Sequence, residues 1–599
     1  MPSRYATRTS FAGNEGCPEL LRSHILSGIE KYATPSSEGK PTPDKSHIGK
    51  MMFSLKNLQY SQNSTLKIPV LSWLLAAFLT TLPFSAVADR PNILWIDIDD
   101  QSPWYSIYGD KTASTPNLDA LASKGVAFEN VYAANPICGP SRSAMITGVY
   151  PIRAGTHDMR AGRVPEYQIY LPDEITTVPE LMRKAGYETY NAHKDDYNFT
   201  YDRRDLYSFG NPPHPYSPGS RDDEAGKGGS KQVSKKQLME MGFTDEKAAE
   251  KLAQINKDKK TKGTVNYKGL HGSGSWRDVK KGPFFGQMSI PGGKGVATID
   301  KQLRSLGLEP VDPSEVRVPA QYPDIPQVRQ QVANHYNSIL RTDHHVGELI
   351  QQFKDEGLWG NTVFILYSDH GSDLPRSKGY VYEEGLHVPF IIAAPGTDLI
   401  EPGTRYDLVN LMDIAATTLG LAGVEVPEFM DAKNVFAEDF HREYIYSSAD
   451  RWGNVIDRTR SVMGERFHYI RNFLLDRPLF NWGAYELIAF GRDPEGKTTS
   501  LMAMRRMAES SELEGAQIAP YGKRVAEELY DLKKDPDEVN NLAADPAYKE
   551  QLTKMRKALL YWIEDTDDKG QYPRSAAAMQ EITDRFPADW LKGPEFFKE

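Results

Sequence analysis

The chain has 599 residues, of which 25% are charged and 39% hydrophobic, and a formal net charge of −10 at pH 7. That length holds a large core and more than one domain, and the composition is that of a soluble globular protein rather than a membrane bundle or a disordered chain. The mild acidity argues against general nucleic-acid binding but leaves room for a local basic pocket that takes an anionic substrate.

Residues 67–88, KIPVLSWLLAAFLTTLPFSAVA, put Lys67 before an apolar run that ends in Ala86-Val87-Ala88. A basic flank, an apolar stretch and an A-x-A site read as a secretory signal cut before Asp89. The run is short for a membrane anchor, and no other segment is apolar enough to span a bilayer. The N-terminal unit is therefore residues 1–88. Residues 1–50 read as an extension, with Met51 or Met52 as the alternative start. Export removes Cys17 and leaves Cys138 as the single thiol of a chain with only 2 cysteines, an odd number for an oxidising compartment.

From Pro91 the pattern alternates. NILWIDI (92–98) is a continuous apolar run, the signature of a strand buried on both faces. TPNLDALASKG (115–125) has helical spacing and a glycine stop. TVPELMRKAGYETYNA (177–192) repeats the helix-Gly-strand order. Residues 211–282 are rich in Gly, Pro, Ser and Lys and read as a polar insertion with one candidate helix at 246–257. A long amphipathic helix follows at 328–357, then strands at NTVFILYSDHG (361–371) and HVPFIIAAPG (387–396). This predicts an α/β domain over 89–436, with a large, mostly parallel, mixed sheet flanked by helices. Beyond it, REYIYSS, RSVMGERFHYIRNF and ELYDLKKDP read as strands and 547–566 as a helix, a smaller α+β subdomain over 437–599.

Ligands of open parallel sheets collect beyond the carboxyl ends of the strands. Two strands end in candidate metal ligands, Asp99 and Asp100 after the first and Asp369 and His370 after NTVFILYS. Three carboxylates and an imidazole at one edge would suit Ca2+ or Mg2+. Between them in sequence, PSRSAMITG starts a helix and leaves Cys138 at its positive end, a place for an anion or an ionised nucleophile. Arg142, one turn on, returns a fork of donors to the same spot.

Cys138-Gly139-Pro140-Ser141-Arg142, followed by SAMITG, resembles the C-x-P-S-R-x-x-x-x-T-G signature of the formylglycine-dependent (type I) sulfatases of the alkaline phosphatase superfamily. PNILWIDIDD, TPNLDALASKGVAFENVYA, SDHGSDLPRSKGYVYEEGLHVPFII and ELYDLKKDPDEVNNLA resemble further family segments, so the likeness covers nearly all of the mature chain. It implies an alkaline-phosphatase-like fold. It also implies that Cys138 is oxidised during export to formylglycine (3-oxoalanine) by a formylglycine-generating or anaerobic sulfatase-maturating enzyme. The hydrated aldehyde would then join the metal ligands and attack the ester sulfur.

By the same resemblance, Lys378 grips the sulfate and assists the leaving group, and Lys194 binds the sulfate and the nucleophile. Two family histidines are missing. Asp196 stands two positions after Lys194, with His193 before it, and Lys294 occupies a histidine's place in SIPGGKG. The general acid is therefore open among Lys294, Lys378, His193 and His157. His387 either lines the pocket or caps a strand. HDMR, KDDYNF and DHGSDLPRSKG look most like bacterial sulfatases of the heparan N-sulfatase-like branch. The expected function is hydrolysis of sulfate esters or N-sulfates of a sulfated carbohydrate such as ulvan or a glycosaminoglycan. The alternatives are a phosphonate or phosphodiester hydrolase of the same superfamily and a degenerate sulfatase that only binds sulfated glycan. No nucleic-acid partner and no membrane span in the mature chain are expected, and the location is periplasmic or secreted.

Overall fold

β1 (Asn92–Ile98) is buried at all seven positions, as its unbroken apolar run predicts. It lies in the middle of the main sheet of a computed structural model that describes residues 90–162, 166–192, 194–209, 275–480 and 499–585. The secretory signal, residues 1–50, His193, the helix at 246–257 and most of the polar insertion lie outside the described residues.

In chain order the elements that place the site are α1 (Pro116–Ala122), β2 (Gly125–Tyr132), α2 (Cys138–Thr147), β3 (Glu188–Asn191), β4 (Phe284–Ile290), α3 (Pro326–Asp355), β5 (Thr362–Ser368), β6 (Phe390–Ala393) and β7 (Gly403–Asn410). They form a seven-stranded sheet in the order β3-β4-β1-β5-β6-β2-β7. Only β6 pairs antiparallel to its neighbours, so the sheet is mixed, as expected. β1 and β5 pair in parallel from Asn92↔Thr362 to Ile98↔Ser368. That register brings the two acidic strand ends side by side. β4 flanks β1 on its other side with Ile98 opposite Ile290, so the SIPGGKG turn reaches the same edge.

Trp95 anchors the centre. Its ring meets Phe285 and Tyr367 edge-on at 5.2 and 5.9 Å, and its indole N–H donates to Thr418 at 2.8 Å. Truncating an aromatic packed this way typically costs about 3–5 kcal/mol.

The C-terminal part carries β8 (Ile445–Ala449), β9 (Thr459–Met463), β10 (Phe467–Asn472) and β11 (Glu527–Asp531) in a four-stranded antiparallel sheet ordered β11-β10-β9-β8, with α4 (Lys549–Asp565) after it. RSVMGERFHYIRNF folds as the β9-β10 hairpin. One apolar cluster joins both sheets, running from Trp95 and Met145 to Tyr469, Leu559 and Trp562.

Beside this cluster, Arg460 is completely buried between Asp450 and Asp568, with contacts of 2.8 to 3.1 Å. Removing one partner of such a group strands the other charges. Arg460→Met is expected to destabilise the fold by about 3–5 kcal/mol. Denaturant unfolding checks this, and a midpoint equal to the parent's would contradict it.

Candidate active site

α2 is the wall on which the site is built. All ten of its residues are buried, so its polar groups need partners. Pro140 sits in the first turn, where its missing N–H costs nothing, and Gly148 closes the helix with φ 69°. Ser143 and Thr147 return their hydroxyls to carbonyls one turn back, Gly139 and Ser143, at 2.8 and 2.7 Å. Ser141 donates to the Asp369 carbonyl at 2.6 Å, which ties the helix to the end of β5. Gly139 packs closely, since a Cβ there would stand 2.8 Å from Met159 Sδ and 3.3 Å from the Asp196 carbonyl oxygen.

Cys138 is the first residue of α2. Its Sγ lies 3.2 Å from His370 Nε2, 3.9 Å from Lys294 Nζ and 4.0 Å from Asp100 Oδ1. Ligand atoms of Asp100, Cys138, Asp369 and His370 all fall within 4.8 Å of one another, as do those of Asp97, Asp99 and Asp369. Arg142 bridges the two strand ends, donating from Nε to Asp369 at 2.9 Å and from Nη2 to Asp99 at 2.5 Å, and it also pairs with Asp97. Lys194 contacts Asp99 at 2.7 Å and Asp196 at 3.3 Å. Lys294 contacts Asp99 at 2.9 Å and Asp100 at 3.4 Å, and Lys378 contacts Asp100 at 2.7 Å. The Lys294 side chain keeps 37% of its surface exposed, against 13% for Lys194 and 10% for Lys378, so Lys294 stands nearest the mouth.

The charges act on one another strongly because Asp97, Asp99, Asp100, Arg142, Asp369 and His370 are all buried. Burial pushes the Cys138 thiol up, but Lys194, Lys294 and Lys378 together bring it down to about 7. Burial would raise Asp99 and Asp100 too, yet Lys194 and Lys294 hold the first, and Lys294 and Lys378 the second, well below the usual carboxylate range. His370 is lowered by burial but raised more by Asp369 and Cys138, to about 10.

Asp97 is the residue that sequence reasoning missed. It sits inside β1, is buried, and is pushed up to about 7 by burial against the pull of Arg142. One of its oxygens accepts from Ser289 at 3.1 Å, and the other has no partner among the described residues. An acid in an otherwise apolar strand was the available signal. The donor set of buried carboxylate oxygens with one imidazole fits a hard divalent cation. Asp99, Asp100, Asp369 and His370 are the residues that would hold it.

Two expected pocket residues lie outside this group. His157 gathers instead with Asp158 and Asp450, in a cluster apart from Cys138. His387 has both ring nitrogens engaged, with Glu383 at 2.6 Å and the Glu129 carbonyl at 2.7 Å, and it stacks on Tyr132 at 4.9 Å. It lines a different cavity, with Ser102, Trp104 and Glu384. Of the two readings left open for His387, the geometry therefore favours the structural one. Among the described candidates for general acid, Lys294 and Lys378 are the two beside Asp100.

The mixed seven-stranded sheet flanked by helices, with a small antiparallel sheet beside it, is an alkaline-phosphatase-like α/β fold. The sulfatase family model matches residues 91–424, more than half of the chain. The chain belongs to the sulfatase family and is a sulfuric ester hydrolase. An ulvan-active sulfatase of Formosa agariphila is 29% identical over 502 residues, covering 81% of this chain and 77% of its own. The human N-sulphoglucosamine sulphohydrolase is 22% identical over 509 residues, covering 80% of this chain and 91% of its own. Among solved structures, the phosphonate monoester hydrolase of Agrobacterium radiobacter superposes with a TM-score of 0.51 at 18% identity, covering 80% of this chain and 96% of its own, a likeness of fold alone. Among the described residues no helix is long and apolar enough to cross a membrane.

Proposed function

We propose that this protein removes sulfate from a sulfated carbohydrate, a polysaccharide such as ulvan or a glycosaminoglycan, with residue 138 acting as formylglycine beside a Ca2+ or Mg2+ ion. The observation that carries the reading is the convergence on Cys138 of His370, Asp100 and Lys294, with Arg142 clamping Asp99 to Asp369. The ulvan-active and N-sulphoglucosamine relatives support the choice of substrate class.

Hydrated formylglycine supplies the oxygen nucleophile that a thiol does not, and a bound divalent cation supplies Lewis acidity. The chain's own groups do the rest. Lys194, Lys294 and Lys378 neutralise the sulfate oxygens in a site where preorganised charge need not reorganise. Lys378 or Lys294 delivers the proton to the departing alcohol oxygen, and the net reaction adds water across the S–O bond. The burial of α2 keeps bulk water from the nucleophile. The 67–88 pattern supports export to the periplasm or outside the cell, with a formylglycine-generating or anaerobic maturating enzyme as the partner that modifies residue 138.

Chelation with EDTA is expected to lower hydrolysis of a sulfated oligosaccharide about a hundredfold or more, and Ca2+ or Mg2+ to restore it. Running p-nitrophenyl sulfate and bis-p-nitrophenyl phosphate side by side tests the chemistry. Faster cleavage of the phosphodiester would replace this reading with that of a phosphodiester hydrolase. Full activity in EDTA would remove the cation from it.

A further inference from the structure

We propose that Asp97 is a positioning residue for the divalent cation: it fixes the Arg142 guanidinium, which in turn holds Asp99 and Asp369 at the spacing the ion needs. This rests on the sulfatase reading above and extends it from the cation's ligands to the groups that set their geometry.

Strand register puts Asp97 there. Side chains alternate along a strand, so Asp97 and Asp99 share the face of β1 that carries Ile93 and Trp95, while Leu94, Ile96 and Ile98 pack on the other. From α2, Ala144, Met145 and Ile146 join the same apolar cluster as Ile93 and Trp95, so Arg142 approaches this face of the strand. Across the sheet, Asp97 lies opposite Ser289 of β4 and Tyr367 of β5. Ser289 donates to Asp97 Oδ2 at 3.1 Å, and Arg142 Nη1 meets the same oxygen. Oδ1 is buried with no partner among the described residues. A leucine would continue the apolar run of β1 without leaving a polar atom unpaired, and burying such an atom costs stability. The role of the acid therefore lies in what it holds.

Every nitrogen of the buried Arg142 fork is engaged. Nε donates to Asp369 at 2.9 Å and Nη2 to Asp99 at 2.5 Å, while Nη1 meets Asp97 and, at 3.4 Å, the Lys194 carbonyl. Carboxylate oxygens of Asp97, Asp99 and Asp369 fall within 4.8 Å of one another, as the ligands of a cation would, and the guanidinium is the cation that pairs with all three. Because the fork is planar and rigid, seating Nη1 on Asp97 fixes the directions of Nε and Nη2. Asp99 follows the end of β1 and Asp369 the end of β5, on adjacent strands, so the seated fork sets the gap between them. Lys194 reaches both carboxylates as well, at 2.7 and 3.6 Å, but a point charge on a flexible stem fixes no angle. Without Asp97 the guanidinium keeps its two outer partners and loses the seat that aims it. Groups that orient the ligands of a metal typically change its affinity about 10–100-fold when they are removed.

The test uses the full chain after maturation, stripped of metal and titrated with Ca2+ and, separately, with Mg2+. The readout is the rise in melting temperature with cation concentration, which needs no turnover. Asp97→Leu is expected to raise the cation concentration at half of the full shift about tenfold or more. Its kcat on p-nitrophenyl sulfate at saturating cation should return close to the parent's. Asp97→Asn, which keeps an acceptor for Nη1 without the charge, should recover most of the affinity. In an Arg142→Lys background, where the fork is gone, Asp97→Leu should have little further effect. Equal midpoints for the parent and Asp97→Leu overturn the role. Equal losses in Asp97→Leu and Asp97→Asn also overturn it, because charge alone would then count. So do losses that add to that of Arg142→Lys, because Asp97 would then act without the fork. A metal-free Asp97→Leu protein that melts well below the metal-free parent would make Asp97 a folding residue only. A parent whose melting temperature responds to neither cation would instead bring down the metal reading on which the role rests.

Discussion

Cys138→Ala is expected to reduce sulfate-ester hydrolysis by about ten-thousandfold or more, the scale on which loss of a covalent nucleophile is felt. Cys138 Sγ sits where α2 begins, with His370 Nε2 and Lys294 Nζ within 3.2 and 3.9 Å of it. The substitution removes one sulfur atom from the first turn of a buried helix, and alanine is a good helix former there. Circular dichroism and melting temperature should therefore stay close to the parent's, which separates loss of chemistry from loss of fold. Mass spectrometry of the peptide containing ICGPSR, from a host with maturation machinery, should find formylglycine at position 138. An active preparation in which that peptide is entirely unmodified cysteine would sink the mechanism.

Lys378→Ala should lower kcat about a hundredfold or more, the usual cost of losing one preorganised transition-state donor. Burial would lower the pKa of this lysine, but Asp100 and Cys138 raise it above the ordinary value. Negative charge grows on the bridging oxygen as the S–O bond breaks, and most when the alcohol is a poor leaving group. The loss should therefore be larger for a sugar sulfate than for p-nitrophenyl sulfate if Lys378 delivers the proton. Equal losses would make it a sulfate clamp only. Lys294→Ala, at the more exposed lysine, would then be the variant expected to show the leaving-group dependence. Unchanged kcat in both variants would mean that the groups around the scissile bond have been misread.

The local elements were legible because their patterns are local. NILWIDI and TVFILYS declare buried strands by unbroken apolar runs, the 328–357 stretch declares a helix by its stripe, and Asp99, Asp100, Asp369 and His370 declare themselves by ending strands. Cys138 and Arg142 were legible from a short segment, one helical turn apart. Other features depended on partners distant in sequence, and only the tertiary structure decided them. The pairing of β1 with β5 brings residues 99 and 369 together across a separation no periodicity encodes. Asp97 joined the carboxylates because Arg142 reaches it from another element.

His157 was drawn to Asp158 and Asp450, and His387 to Glu383 and Glu129, because a buried imidazole settles where its hydrogen bonds are met rather than where a motif suggests. What the sequence by itself determined was the chemistry each segment could carry. Which of those groups meet was decided by long-range strand register and by the pairing of buried charges, whose energies exist only once the chain has closed on itself.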